Sequence, residues 1–443
     1  TFQFTLSPVQ GFVAQARRTR DFWAGSFILS WLSSAAIAAI QKQGGAIQFP
    51  VPDGAYLRHL YGTATAQDAY PQQGSIPNRF MALTAEVPEG FHPEWVTQSV
   101  QAAWQALADI VWRNDLAGLA DDATRMIWQR QVSSFWETSW VMAEKDSAAN
   151  LLDRRKNWRD TVSPSEPGHK CMMMDGWQEL SGIEHTRLAD VRQFWSRIAQ
   201  SGKTGMATDL GDGEQLCAMA FIKRRFARYF AKVKVELPGN LGQIFGWEVP
   251  SAVPSVSFVA AAPWLAQVLE HAPIDALHEW DLAASAIASY SELAHVQGKD
   301  AFEIDIRCVK EAAEKRQQEG LQRRWAGLDG QLYFPTALEN PRLFADQKAA
   351  RQVLRQLHHL RDASGVKDLP SPYYAILLMD GDQLGKHMGD KDKQTPISEA
   401  LNEFTNSAGD IIRKHNGFLI YAGGDDVLAL LPLENALDAA AAL

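Results

Sequence analysis

The stretch that most constrains this chain is Tyr421-Ala-Gly-Gly-Asp-Asp-Val-Leu-Ala-Leu-Leu431: an apolar strand, two glycines, two aspartates, a second apolar strand. Two strands joined across Gly423-Gly424 form a β-hairpin. The glycines permit a tight turn and let a ligand come close to the backbone. Asp425 and Asp426 fall at the tip, where the return strand starts, and no cation lies nearby in sequence. Adjacent carboxylates repel. A divalent metal removes the conflict, and hard oxygen donors suit Mg²⁺ or Mn²⁺.

A second acidic tip supports this. The apolar run Tyr373–Met379 ends in Asp380-Gly-Asp382. A buried strand that delivers carboxylates at its C-terminal end is the expected design. Between the tips Ile397, Leu401, Phe404, Ala408, Ile411 and Ile412 share a helical face, with Thr395 as N-cap, Pro396 at the first position and Asn416-Gly417 as the stop. With the first two strands side by side, Asp380 comes beside Asp425, and Asp426 is a further ligand or an orienting neighbour. The Gly381 carbonyl completes a metal shell. Asp382 caps a helix or stands just outside the metals. Backbone N–H groups of Gln383, Leu384 and Gly385, at a helix start, cradle phosphate, and Lys386 either assists or is a solvated lysine. Carboxylates from two strand ends make a two-metal site for phosphoryl or nucleotidyl transfer.

Composition narrows the partners. A chain of 443 residues has room for about three domains, and its 21% charged residues and 46% hydrophobic residues are ordinary for a globular protein. The net charge of −9 argues against nucleic acid covering the whole surface. The three cysteines lack paired spacing, which points to a reducing, cytoplasmic compartment. No apolar run is expected to span a bilayer. The chain has no His-Asp dipeptide, no Walker A loop and no G-x-S-x-G.

Asp380-Gly-Asp382 with Gly423-Gly-Asp-Asp426 resembles the palm domain of GG[DE][DE] nucleotide cyclases. The Gly-Gly-Asp-Asp form resembles the large subunit of type III CRISPR RNA-targeting complexes. Phe4-Thr-Leu-Ser-Pro-Val-Gln-Gly-Phe-Val13, Ala16-Arg-Arg-Thr-Arg-Asp-Phe-Trp-Ala-Gly-Ser26, Pro77-Asn-Arg-Phe80 and Glu214-Gln-Leu-Cys-Ala218 with Lys223-Arg224 resemble its III-B (Cmr) branch. The resemblance implies an α+β fold: two ferredoxin-like (RRM or palm) domains, the second carrying the hairpin, with helical insertions between them. It implies target-RNA-activated synthesis of cyclic oligoadenylates from ATP, and a scaffold for guide crRNA, target RNA and neighbouring Cmr subunits, especially the one capping the guide 5′ end. Ser7 and Gln10 as contacts to a second nucleotide rest on it alone. The family often carries a His-Asp nuclease domain, and this chain lacks that pair. A family Cys-x-x-Cys zinc motif meets Cys171 and Met174 here, and one thiolate does not close a zinc site, even with His169, His185 and Cys217 nearby in sequence.

Taken in order, residues 1–90 read as a degenerate first palm: a strand over 1–6, a helix from about 11 to 43, strands at 46–49 and 79–85. Residues 91–160 read as a helical insertion with an apolar face of Trp95, Val96, Val100, Ala103, Trp104, Leu107 and Val111. Residues 161–235 hold the zinc-finger-like remnant and a basic helix over 221–234. There Lys223 and Arg224 either meet RNA or phosphate or belong to a charged amphipathic face. Arg17, Arg18 and Arg20 have the same two readings. Residues 236–370 read as helical. Residues 371–443 read as the catalytic palm, one strand short at the C-terminus. Two other functions compete: a non-catalytic scaffold of the same complex, and a free-standing GGDEF-like cyclase, against which the helical insertions argue.

Overall fold

The computed structural model describes residues 1–87, 89–144, 151–157, 166–211, 213–249, 253–285, 287, 306–319, 330–344, 346–381, 391–423 and 426–443. They cluster into two units: Thr1–Val249 with Asp380–Thr405 and Tyr421–Asp426, and Pro250–Met379 with Asn406–Ile420 and Val427–Leu443.

The first unit is built on β1 (Phe2–Ser7), β2 (Ala46–Phe49), β3 (Arg79–Leu83) and β4 (Glu137–Met142), in the order β2-β3-β1-β4 with every neighbour antiparallel. β1 is central: Phe4 faces Phe80 on one side and Trp140 on the other. β4 adds a strand to residues 92–160, which among the described residues are otherwise mainly helical, as expected. Its Thr, Trp and Val residues fit a pleated surface, and β1 offers an unpaired edge.

The helix expected from residue 11 onward is split into Gln10–Val13 and α1 (Thr19–Lys42). The Asp21 carboxylate accepts the N–H groups of Arg17 and Arg18 at 3.2 and 3.1 Å, which fixes where α1 starts. α1 corrects a second expectation. By length and composition it could cross a membrane, with mean hydropathy 1.5 over its most apolar window, yet all of that window is buried inside the unit. A helix apolar all round belongs in a core. α2 (Pro93–Val111) packs against it and buries Val96, Val100, Ala103, Trp104, Leu107 and Val111, as the spacing requires. α3 (Asp122–Ser134) is capped by Asp121, which accepts the Thr124 N–H at 2.9 Å. The basic helix is shorter than expected: α4 (Ala218–Arg225) gives way to two 3₁₀ turns and then to a hairpin of β5 (Lys234–Glu236) and β6 (Gln243–Phe245).

The second unit holds α5 (Val256–His271), helices Ile274–Ser285 and Arg307–Lys315, and α6 (Gln347–Ser364), whose Asp346 cap accepts the N–H groups of Lys348 and Ala349 at 3.0 Å.

The second sheet consists of β7 (Tyr374–Met379), β8 (Phe418–Gly423) and β9 (Asp426–Pro432), in the order β7-β9-β8. β7 therefore lies beside the return strand of the hairpin, not beside the outgoing strand. α7 (Lys391–Lys414) joins β7 to β8. It begins before the expected cap, so Thr395 and Pro396 lie inside it. Its end is as expected: Asn416 adopts φ 59°, and the Gly417 N–H reaches back to the Ile412 carbonyl at 2.9 Å.

Candidate metal and nucleotide site

The geometry of the acidic tips follows from register. Met379 pairs with Val427, and Leu378 with Leu428. One step further sets Asp380 opposite Asp426, not Asp425. Directly opposed residues of antiparallel strands share a face, with Cα atoms about 4.5–5.5 Å apart. Alternation puts Asp380 on the face of Ile376 and Leu378, which are 62% and 72% exposed. Ala375, Leu377 and Met379 point the other way, across from Val427, Ala429 and Leu431, which are fully buried. The carboxylates thus stand on the open face of the sheet. Like charges directly opposite are destabilising. Hard carboxylate oxygens from two neighbouring strands fit a divalent cation. Gly381 directly follows Asp380 and is half-buried. Asp382, Gln383, Leu384, Gly385, Lys386, Gly424 and Asp425 lie outside the described residues.

Gly423 has a local reason that the sequence did not disclose. A Cβ there would stand 2.3 Å from the Tyr421 hydroxyl oxygen. That hydroxyl donates to the Gly423 carbonyl at 3.4 Å. The glycine makes room for the phenol of Tyr421. A tyrosine two residues before the first glycine was the available signal.

The basic residues go elsewhere. Lys223 and Arg224 are buried, which corrects their reading as RNA or phosphate contacts. The Lys223 ammonium donates to the carbonyls of Phe12 and Gln15 at 2.6 and 2.7 Å. Burial pulls its pKa down to about 8, against the pull of Asp21. Arg224 donates to Asp21 at 2.6 Å and to Glu214 at 2.8 Å. Arg225 holds Asp115 at 2.8 and 2.9 Å and also reaches Asp209. Arg20 and Arg228 reach Asp209 at 2.8 and 2.6 Å. Burial would raise the carboxyls of Asp21, Asp209 and Glu214, but the surrounding guanidinium groups outweigh it and hold all three below their ordinary values. Of the early arginines Arg20 is enclosed in this cluster, while Arg17 and Arg18, partly exposed, lie 3.8 and 3.4 Å from Glu214. Ser7 closes β1, and Gln10, exposed, opens the short helix after it.

The sulfur pair is also internal. Cys171 and Cys217 are both buried. Burial would raise the Cys171 thiol, but Cys217 and the N–H groups of Met174 and Met173 hold it below its usual value. The His169 and His185 rings lie side by side, tilted by 30°, with centroids 4.6 Å apart. Among the described residues no group of three or more His, Cys, Asp or Glu side chains is arranged to hold a metal ion.

Comparison with known proteins follows the two sheets. Residues 1–109 match the family "CRISPR-associated protein Cmr2, N-terminal", and residues 373–443 match "Cas10/Cmr2, second palm domain". The two ends of the chain are therefore similar to the N-terminal and second-palm domains of Cmr2 proteins. The Cmr2 subunit of the Pyrococcus furiosus Cmr system is 39% identical over 146 residues, covering 26% of this chain and 17% of the relative. That of Saccharolobus solfataricus is 55% identical over 42 residues, covering 10% and 4%. A cryo-EM structure of a type III-B Cmr-beta complex in its apo state aligns over 99% of this chain and 60% of its own, with TM-score 0.52 and 15% identity. The likeness in fold therefore extends over the whole chain, although the chain spans less than two thirds of each relative. As in the family, the second sheet is a palm of nucleotidyltransferase type.

Proposed function

We propose that this chain is the polymerase-like large subunit of a type III-B CRISPR effector, and that its second palm joins ATP into cyclic oligoadenylates when target RNA is bound. Both sheets are read as ferredoxin-like palms. The order β2-β3-β1-β4 supports the first reading, and β7-β9-β8 repeats three places of that order. The observation that carries the reaction is the register that sets Asp380 across from Asp426 on an open sheet face.

Asp380, Asp425 and Asp426, with the Gly381 carbonyl, hold two Mg²⁺ or Mn²⁺ ions. When bound, the ions activate a ribose hydroxyl and neutralise phosphate charge. The sheet fixes the spacing of Asp380 and Asp426 before substrate arrives, so little reorganisation is needed during reaction. We assign the triphosphate to the N–H groups of Gln383–Gly385, the Lys386 ammonium and the glycines Gly423 and Gly424, and a second nucleotide to Ser7 and Gln10. The partners are guide crRNA, target RNA and neighbouring subunits, including the one at the guide 5′ end, in the cytoplasm. The sulfur pair at Cys171 and Cys217 holds no zinc, and elemental analysis of the purified protein after chelator dialysis checks this.

The test is ATP turnover by the assembled complex with and without target RNA. Oligoadenylate formed only with target supports the reading. Formation without target favours a free-standing cyclase, and none in either arm favours a scaffold.

A further inference from the structure

Residues 71–76 lie as a strap along one face of α1. The Trp23 indole N–H donates to the Gln72 carbonyl at 2.7 Å, and the Ser30 hydroxyl to the Ile76 carbonyl at 3.0 Å. The Trp247 indole N–H holds Pro71 at 3.0 Å. Positions 23, 26 and 30 share a helical face. Between the two α1 ties sits Gly74. A Cβ built on it would stand 2.6 Å from Ser30 Oγ and 2.7 Å from the Ser26 carbonyl oxygen. Its φ is not left-handed, so it is space and not conformation that requires glycine.

The other side of the strap meets the hairpin. Gly74 forms a parallel bridge with Tyr421 of β8, and both belong to the first unit. β8 is an outer strand of its sheet, and the bridge occupies its free edge. A second tie in the same unit runs from the Val51 N–H to the buried Ser398 hydroxyl at 2.7 Å. Tyr421 is also the residue whose phenol lies on Gly423, where β8 ends. Outer strands open locally at low cost, whereas catalytic groups must be held to within about 0.5 Å.

We propose that this strap is a positioning device for the acidic hairpin. α1 fixes residues 72–76, Gly74 fixes Tyr421, and Tyr421 fixes the end of β8 that leads to Asp425 and Asp426. Gly74 and Tyr421 are positioning residues. The effect on rate rests on the nucleotidyl-transfer reading; the hold on the hairpin does not.

The test uses the assembled, target-bound complex with Gly74→Ala. Gly118→Ala is the control, because nothing lies within 4 Å of a Cβ added there. Hydrogen exchange over residues 418–423 should speed up in Gly74→Ala and not in the control. The kcat for ATP should fall by as much as about a hundred-fold, the cost of a misplacement near 1 Å. KM for ATP should hold within about two-fold, since the uniform binding contacts are untouched, while the Mg²⁺ needed for half-maximal rate rises. Ser30→Ala, a milder change, loses only the tie to Ile76 and should speed the same exchange by about five-fold, the worth of one hydrogen bond. Unchanged exchange at 418–423 in both variants overturns the proposal whatever the rate does. Faster exchange with unchanged kcat also overturns it. If the wild type makes no product but the hairpin loosens only in the strap variants, the nucleotidyl-transfer reading fails and the strap's hold on the hairpin stands.

Discussion

Two groups of charged residues are arranged in opposite ways. Around Asp209 the carboxylates are buried and every one faces guanidinium groups. At the ends of β7 and β9 two carboxylates stand opposite each other on an open face, and Asp380 is exposed. The first cluster is neutralised from within, and its charges hold elements together. At the second we propose that an added cation supplies the counter-charge. Aspartate serves in both; burial among guanidinium groups marks the brace, and exposure marks the site we propose to react.

The sharpest break of this contrast is the double change Asp425→Ala with Asp426→Ala in the assembled complex. Oligoadenylate formation should disappear, since both hydroxyl activation and charge neutralisation depend on these groups, and Asp380→Ala alone should do nearly the same. The unfolding midpoint should stay within about 0.5 kcal/mol of wild type, as for other surface changes. Product at the wild-type rate would reduce the hairpin to a turn.

Asp209→Ala should do the reverse. It strips Arg20, Arg225 and Arg228 of a buried partner, at a cost of about 3–5 kcal/mol. Urea unfolding measures it, and a midpoint near wild type would remove the brace from the comparison.

Acid titration gives the smallest effect. Asp21, Asp209 and Glu214 all have folded pKa values below their ordinary 3.8, 3.8 and 4.5. Below those values the unfolded chain binds more protons than the folded one, so stability falls as pH falls. The contribution is fully present above 4.5 and is lost as pH drops through the folded values. Urea midpoints should therefore be level down to about that pH and then decline, more shallowly in Asp209→Ala. An equal decline in the variant would assign the acid response elsewhere.

Much of the acidic site was legible because its signals are local. Alternating apolar strands, Gly423-Gly424 and the two acidic tips lie within short windows. The neighbour of β7 was not, because strand order is a tertiary property: a single register step exchanges Asp425 for Asp426. Lys223 and Arg224 looked like surface cations because Asp21 lies 203 positions from Arg224, and Glu214, ten positions away, faces it only in the folded chain. β4 was passed over because a short strand between helical segments shows its role only once β1 offers an edge. Gly74 carries no local mark at all; its meaning is the proximity of Ser26 and Ser30.

The place of β1 in its sheet has a consequence for biosynthesis. Phe2 pairs with Ala82 and with Met142. β1 therefore completes its pairing only after its last partner emerges from the ribosome, on the order of ten seconds later at ordinary elongation rates. Throughout that interval α1, which is as apolar as a membrane span, has been made but lacks the α4 partners of its final core. The nascent chain thus makes this apolar segment before the partners that cover it and encloses it late. A holding chaperone acting on the first 140 or so residues should raise the yield of folded protein more than one supplied after release.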